Sequence, residues 1–181
     1  MSTVLHVERA DGLMTLTVDR PRAANALDGA VHATLLQALS EAKGDPSVRA
    51  VILAAAGERV FSAGADLREY PDLPPFEAGV RRRTQLVDSL VALLDFEKPL
   101  VCAVQGKAIG AGWMLALCTD AIVASEVASF SLPEIRLGTP TPIGVALLVA
   151  RVGEHQAGRL AQSGETVSAI AALRRGLVEE V

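Results

Sequence analysis

The amino-acid sequence predicts a layered α/β fold, and three observations carry that expectation. Two runs of strand length are wholly apolar, Ala50 to Ala55 (AVILAA) and Leu100 to Val104 (LVCAV), as expected of strands covered on both faces. Each is followed by a glycine-containing segment, Gly57 to Ala65 after the first and Gly106 to Gly112 after the second. Around them, apolar residues recur at helical spacing. Strand, glycine loop and helix therefore alternate, an order that packs helices on sheets and leaves ligand sites at the loops beyond the strand ends.

Taken in order, Val4 to Arg9 and Leu13 to Asp19 are short strand-like runs parted by Ala10-Asp11-Gly12, a hairpin signal. Val31, Leu35, Leu36, Leu39 and Ala42 then mark an amphipathic helix that Gly44 stops. Val80, Val87, Leu90, Val91 and Leu94 mark a second helix, closed by Lys98-Pro99. Trp113 to Cys118 is a short apolar helix and Ala121 to Ser125 a further strand. The last third is helical, over Ile143 to Val152, Glu154 to Ser163 and Ser168 to Arg175. No low-complexity linker interrupts the chain, and residues 1–181 are expected to form one domain.

Composition narrows the function. Seventeen basic against 21 acidic residues leave a net charge of −4, which offers no basic field for nucleic acid. No apolar run reaches the roughly 18 to 20 residues that span a bilayer. Met1 to Ala10 carries Glu8 and Arg9 where a signal peptide needs apolar residues. No membrane contact and a cytoplasmic location are the expectation. Cys102 and Cys118 lie in apolar stretches without redox or metal spacing, and read as small buried hydrophobes. His6, His32 and His155 lack the partner spacing of a triad or metal site. Gly110 and Gly112 form a GxG after a strand, but Leu115 occupies the third position of a dinucleotide fingerprint, and no GxxxxGK[ST] exists. No metal or cofactor is expected.

Four segments stand out together: Arg20-Pro21-Arg22-Ala23-Ala24-Asn25-Ala26-Leu27, Phe61-Ser62-Ala63-Gly64-Ala65-Asp66-Leu67-Arg68, Val104 to Gly112 (VQGKAIGAG), and Phe130 to Gly138 (FSLPEIRLG). Each alone has a plain reading as a tight turn or a close helix contact. In this order they resemble the crotonase superfamily, the enoyl-CoA hydratases and isomerases. The resemblance runs from the first strand to the last residue. It implies a crotonase-like (ClpP/crotonase) fold of repeated ββα units in a spiral core, and an acyl-CoA or enoyl-CoA thioester as substrate.

The resemblance also implies roles. Ala65 and Ala111 map to the residues whose backbone amides form the oxyanion hole, and Glu134 maps to a catalytic glutamate. Ala63, Gly64, Asp66, Leu67 and Arg68 flank the first donor, while Gly110, Trp113 and Met114 flank the second. Pro133, Leu137 and Gly138 accompany the glutamate, and Arg22 and Ala24 fall in the family's early loop against the CoA. The chemistry suits these residue types. Charge growing on a thioester oxygen during enolate formation needs converging donors fixed by the fold, and one such donor is typically worth about 2.7 to 4 kcal/mol. A carboxyl among Leu132, Pro133, Ile135 and Leu137 would have its pKa raised towards a range useful for proton transfer. An ion pair to Arg136 or another arginine is the plain alternative for Glu134, and core packing is the alternative for Trp113.

Two departures from the family pattern matter. Hydratases of the family carry a second glutamate three residues after the second donor, where this chain has Met114. A thioether cannot orient or deprotonate water, so single-base chemistry such as double-bond isomerisation is favoured over two-carboxylate hydration. The family's C-terminal helical region, which closes the acyl pocket and builds trimers or hexamers, is mostly missing. Two readings stay open: an enzyme of the hydratase/isomerase type assembling as a homo-trimer or hexamer, and a catalytically silent acyl-CoA-binding subunit.

Overall fold

The computed structural model describes residues 4–181. A hairpin opens the fold: β1 (Leu5–Ala10) runs antiparallel to β2 (Leu13–Val18), with Leu5 opposite Val18. Its turn holds Asp11 at φ 52° and Gly12 at φ 82°, the left-handed pair that lets a two-residue connection follow strand twist. Helix α1 (Gly29–Gly44) follows, and the Asp28 side chain accepts a hydrogen bond from the Val31 N–H as its N-cap.

Three strand–strand–helix units come next. The first is β3 (Ala50–Ala55), β4 (Val60–Ser62) and α2 (Pro75–Leu94). The second is β5 (Leu100–Val104), β6 (Lys107–Ile109) and α3 (Ala111–Leu117). The third is β7 (Ala121–Ala124), β8 (Ser129–Ser131) and α4 (Pro142–Ser163). The first strand of each unit joins one sheet, ordered β1-β2-β3-β5-β7 and parallel from β2 onward. The second strand joins another, where β4, β6 and β8 lie parallel and β9 (Val167–Ser168) closes the edge antiparallel. Helix α5 (Ala169–Arg174) follows. The expected ββα repeat is therefore present, and its turning between two sheets is the spiral.

Segments 57–65 and 106–112, expected as glycine loops, each contain a three-residue strand. So does the segment before Glu134, where β8 leads into a 3₁₀ turn over Pro133–Leu137. The two C-terminal helical stretches run on as α4, with Gly153 at φ 78° and ψ 166° marking a kink between them.

One hydrophobic core ties these layers together. Leu16, Val51, Leu53, Cys102 and Ile122 of the large sheet are wholly buried, as are Leu35 of α1, Trp113 of α3 and Leu148 of α4. Each large apolar side chain so buried contributes roughly 1.5 to 3 kcal/mol before entropy is counted. Burial pushes the Cys118 thiol up to about 12 and the Cys102 thiol further still, so both are inert core residues.

Candidate active site

The site is built where the second sheet meets the N-terminus of α3. Strand β4 ends at Ser62 and the chain turns through Gly64, whose φ of +93° is left-handed. A Cβ there would lie 2.9 Å from the Ile109 carbonyl and 3.4 Å from the Ala111 nitrogen. The backbones of the two alanine–glycine segments are thus in contact. One residue further along α3, a Cβ on Gly112 would stand 2.6 Å from that of Ser62, so α3 packs directly on the end of β4 because the residue is glycine.

Ala65 and Ala111 therefore sit side by side, each half-exposed or buried at the rim of the core. Neither N–H donates a hydrogen bond within the chain among the described residues. For Ala111, first residue of α3, this follows from its position, because the opening N–H groups of a helix have no intrahelical acceptor. For Ala65 it follows from pairing geometry. The bridge from Leu27 uses the flanking groups, with Leu27 N–H on the Gly64 carbonyl (2.8 Å) and Asp66 N–H on the Leu27 carbonyl (2.9 Å).

Glu134 completes the cluster. Its 3₁₀ turn follows β8, which pairs with β6, and the Gly110 N–H donates to the Ser131 carbonyl (2.9 Å). This folds the carboxyl over Gly110, where Oε1 lies 2.9 Å from the position a Cβ would take. Gly110, at φ 52°, is thus needed both for backbone and for space. Glu134 Oε2 is buried without a hydrogen-bond partner, and among the described residues Glu134 makes no ion pair. Arg136, the alternative partner, instead donates to the Ser163 carbonyl. Loss of solvation raises the carboxyl's pKa above its ordinary range, opposed by a weaker backbone hydrogen bond.

Other expected residues divide. Met114 is 5% exposed and heads the second turn of α3, its N–H on the Gly110 carbonyl. Pro133 is half-buried, whereas Leu137 and Gly138 are exposed beside it. Leu67 and Arg68 lie on the open side of the site, with Leu67 72% exposed. Arg22 is exposed and Ala24, at φ 51°, accepts a hydrogen bond from Ala63 N–H (3.0 Å). Trp113 is a correction to its expected place against a ligand. It is 0% exposed, with its ring 5.7 Å from that of Phe130, so it presents no surface to a substrate. Asp66 likewise turns inward, its carboxylate 3.0 Å from Arg20.

Sequence reasoning missed the brace beneath the loops. Arg20 reaches Asp28 (2.9 Å), Asp66 and the Ala26 carbonyl at once. Asn25 is 1% exposed and its amide donates to the carbonyls of Ala56 and Val60, each at 2.8 Å, while its oxygen accepts from Arg20 N–H. The signal was present: a polar residue within the quoted loop, two positions from the apolar Leu27. Two cavities, of about 390 Å³ beside Arg151 and about 450 Å³ along α2, lie apart from these residues. The groups brought together at Glu134, rather than cavity size, single out the candidate site. Among the described residues no cluster of metal-ligating side chains occurs, and no helix is long and apolar enough to cross a membrane.

A two-sheet ββα spiral that sets paired backbone amides and a desolvated carboxyl at one crevice defines a class, and comparison with known proteins names it. The sequence profile of the enoyl-CoA hydratase/isomerase family matches residues 8–181. The chain is 40% identical over 178 residues to the 2,3-dehydroadipyl-CoA hydratase of Escherichia coli K12, covering 98% of this chain and 68% of that protein. It is 36% identical to a carnitinyl-CoA dehydratase of Salmonella paratyphi A, covering 100% and 69%. An enoyl-CoA hydratase structure from Bacillus anthracis superposes with a TM-score of 0.94 at 30% identity, over 98% of this chain and 69% of that one. The chain belongs to the enoyl-CoA hydratase/isomerase family, within the crotonase superfamily. Of the two readings left open by the sequence, membership decides for the enzyme.

Proposed function

We propose that this enzyme binds an acyl-CoA thioester, holds its carbonyl oxygen with the amides of Ala65 and Ala111, and uses Glu134 as its single acid–base group. The observation that carries the reading is the juxtaposition of two unengaged backbone N–H groups with a half-buried carboxyl whose Oε2 has no hydrogen-bond partner. As a proton leaves the carbon next to the thioester, negative charge builds on the carbonyl oxygen. Fixed amides stabilise that charge without reorganising, and the N-terminal position of Ala111 adds the favourable end of the α3 dipole. Glu134 takes the proton, and its raised pKa brings it nearer the range for returning it.

Met114 in place of a second carboxylate makes proton transfer between carbons, and hence double-bond isomerisation, faster than water addition. Arg22 and Ala24 in the early loop, together with Leu67 and Arg68, lie on the side from which the CoA moiety approaches. The similar hydratase and dehydratase act on CoA esters by their names, which supports the thioester and leaves the acyl group open. Purified protein incubated with butyryl-CoA in deuterated water should exchange protons next to the thioester. Glu134→Gln should lower that exchange by roughly 10² to 10⁴, with CoA-ester affinity similar. Unchanged exchange in the variant would sink the assignment.

A further inference from the structure

We infer that Thr141 is a second polar group of this site, recognising an oxygen at the β-carbon of the acyl chain, and that it takes on part of what Met114 cannot do. The inference rests on Glu134 acting as proposed above, and starts from the hydroxyl itself. Thr141 is the N-cap of α4, a position where threonine ordinarily turns its oxygen back to accept from a helix N–H. Here it makes no such bond, and Oγ1 is buried with no partner in the chain. A buried hydroxyl left unpaired is costly, so Thr141 Oγ1 is free to take a partner from outside the chain.

Its neighbours place it beside Met114. A Cβ on Gly144 would lie 2.7 Å from Thr141 Oγ1, 2.9 Å from Leu132 Cδ1 and 3.0 Å from Met114 Cε. The hydroxyl and the end of the Met114 side chain therefore meet over the same point of α4. Leu132 is two residues before Glu134, and Met114 is one helical turn beyond Gly110, on which Glu134 rests. Thr141 Oγ1 thus lies beside Met114, while Glu134, whose Oε2 is likewise buried and unpartnered, rests on Gly110 one helical turn away. The amides of Ala65 and Ala111 fix the carbonyl end of a bound thioester. Thr141 then falls on the side where the acyl chain passes Met114, and a neutral hydroxyl there can hold water or a 3-hydroxyl, donating one hydrogen bond and accepting others.

With Thr141 holding the water, addition needs one carboxylate. The water oxygen bonds to C3 of the enoyl thioester while its proton passes to Glu134, and the C2–C3 π electrons move to the thioester oxygen between the two amides. The enolate then collapses and takes that proton from Glu134 at C2, so one water is added and Glu134 returns to its starting form. Dehydration of a 3-hydroxyacyl-CoA is the reverse. Thr141 thereby gives a single-carboxylate site a place to hold the added water, with water addition slower than proton exchange because the hydroxyl is no base.

The test compares hydration of crotonyl-CoA with exchange in butyryl-CoA for the wild type, Thr141→Val and Thr141→Ser. Valine keeps the shape and removes the oxygen, and no side-chain cap of α4 is lost with it. The ratio of hydration to exchange should fall roughly tenfold in Thr141→Val, the worth of one hydrogen bond, and return in Thr141→Ser. Should the valine variant fail to fold, Thr141→Ala carries the same expectation. Equal loss of both reactions, an unchanged ratio, or a wild type that exchanges protons but adds no water would each overturn the role of Thr141. Absence of exchange in the wild type would instead count against the thioester reading itself.

Discussion

Glu134 is held in a place that favours its chemistry and opposes its charge, and the two consequences have opposite signs with pH. Desolvation raises its pKa from an ordinary 4.5. As a base it must be ionised, so proton exchange should rise with pH through this elevated value, later than for a solvated carboxylate. For stability the sign reverses. A carboxyl whose folded-state pKa exceeds its unfolded one carries a penalty that is full above the folded value and absent below the unfolded one. Glu134→Gln should therefore unfold at a higher temperature than the wild type at pH 7, with the gap closing as the pH drops below about 4.5. Melting curves across that range check it, and a variant less stable than the wild type at pH 7 would contradict the desolvated carboxyl. At this scale the sequence was informative where backbone does the work, since small residues at Ala65, Gly110 and Ala111 are visible as letters. It was silent on Thr141 and Arg20, whose roles depend on where a side chain turns. For Trp113 it left two places open, and only the packing against Phe130 chooses between them.

At the scale of elements, the long runs were legible and the short ones were not. Strand β3 spans Ala50–Ala55, the run that six consecutive apolar residues mark, although only Val51 and Leu53 on one face are wholly buried and the residues of the other face are half-buried. Strands β4, β6 and β8 have three residues each, too few to show a period of two, and the glycines beside them read as loop. These short strands nevertheless aim the site, and the Arg20 brace keeps the loop after β4 in register with the early loop. Arg20, Asp28 and Asp66 are each less than one-fifth exposed. Replacing Arg20 by alanine leaves two carboxylates facing each other without their cation, at a cost on the order of 3 kcal/mol. Urea unfolding should show that loss, with Arg20→Lys intermediate because an ammonium cannot fork between two carboxylates. Since Asp66 follows Ala65 directly, exchange activity should fall in Arg20→Ala even where the variant remains folded. Full activity in a folded Arg20→Ala would mean that the Ala65 amide is positioned by the Leu27 bridge alone.

At the scale of the whole molecule, several large apolar side chains stand exposed on the helices. Helix α2 exposes Phe76 (84%), Val80 (48%), Val91 (49%) and Leu94 (57%) along its length, and α5 exposes Ile170 (45%) and Leu173 (40%). Helical spacing marks the apolar residues of α2 in the sequence, yet their exposure is seen only in the fold, where α2 carries the longest exposed row. The reason is legible in hindsight: helical spacing shows which residues share a face, but not whether the fold covers it. Ordinary subunit contacts bury roughly 800 Å² per partner, and rows of this kind on two helices are what closed, symmetric assemblies use. A trimer or larger oligomer is therefore the expected state, and light scattering at micromolar concentration should return at least three times the chain mass of 18.9 kDa. Val80→Glu together with Leu94→Glu places charge on the α2 row without touching the site, and should shift the population towards monomer. A wild type that is monomeric, or a doubly charged variant with undiminished assembly, would mean that the α2 row is not a subunit contact. If the variant dissociates while keeping its proton exchange, the crevice between Ala65, Ala111 and Glu134 is complete within one chain, and assembly serves to cover apolar surface rather than to build the chemistry.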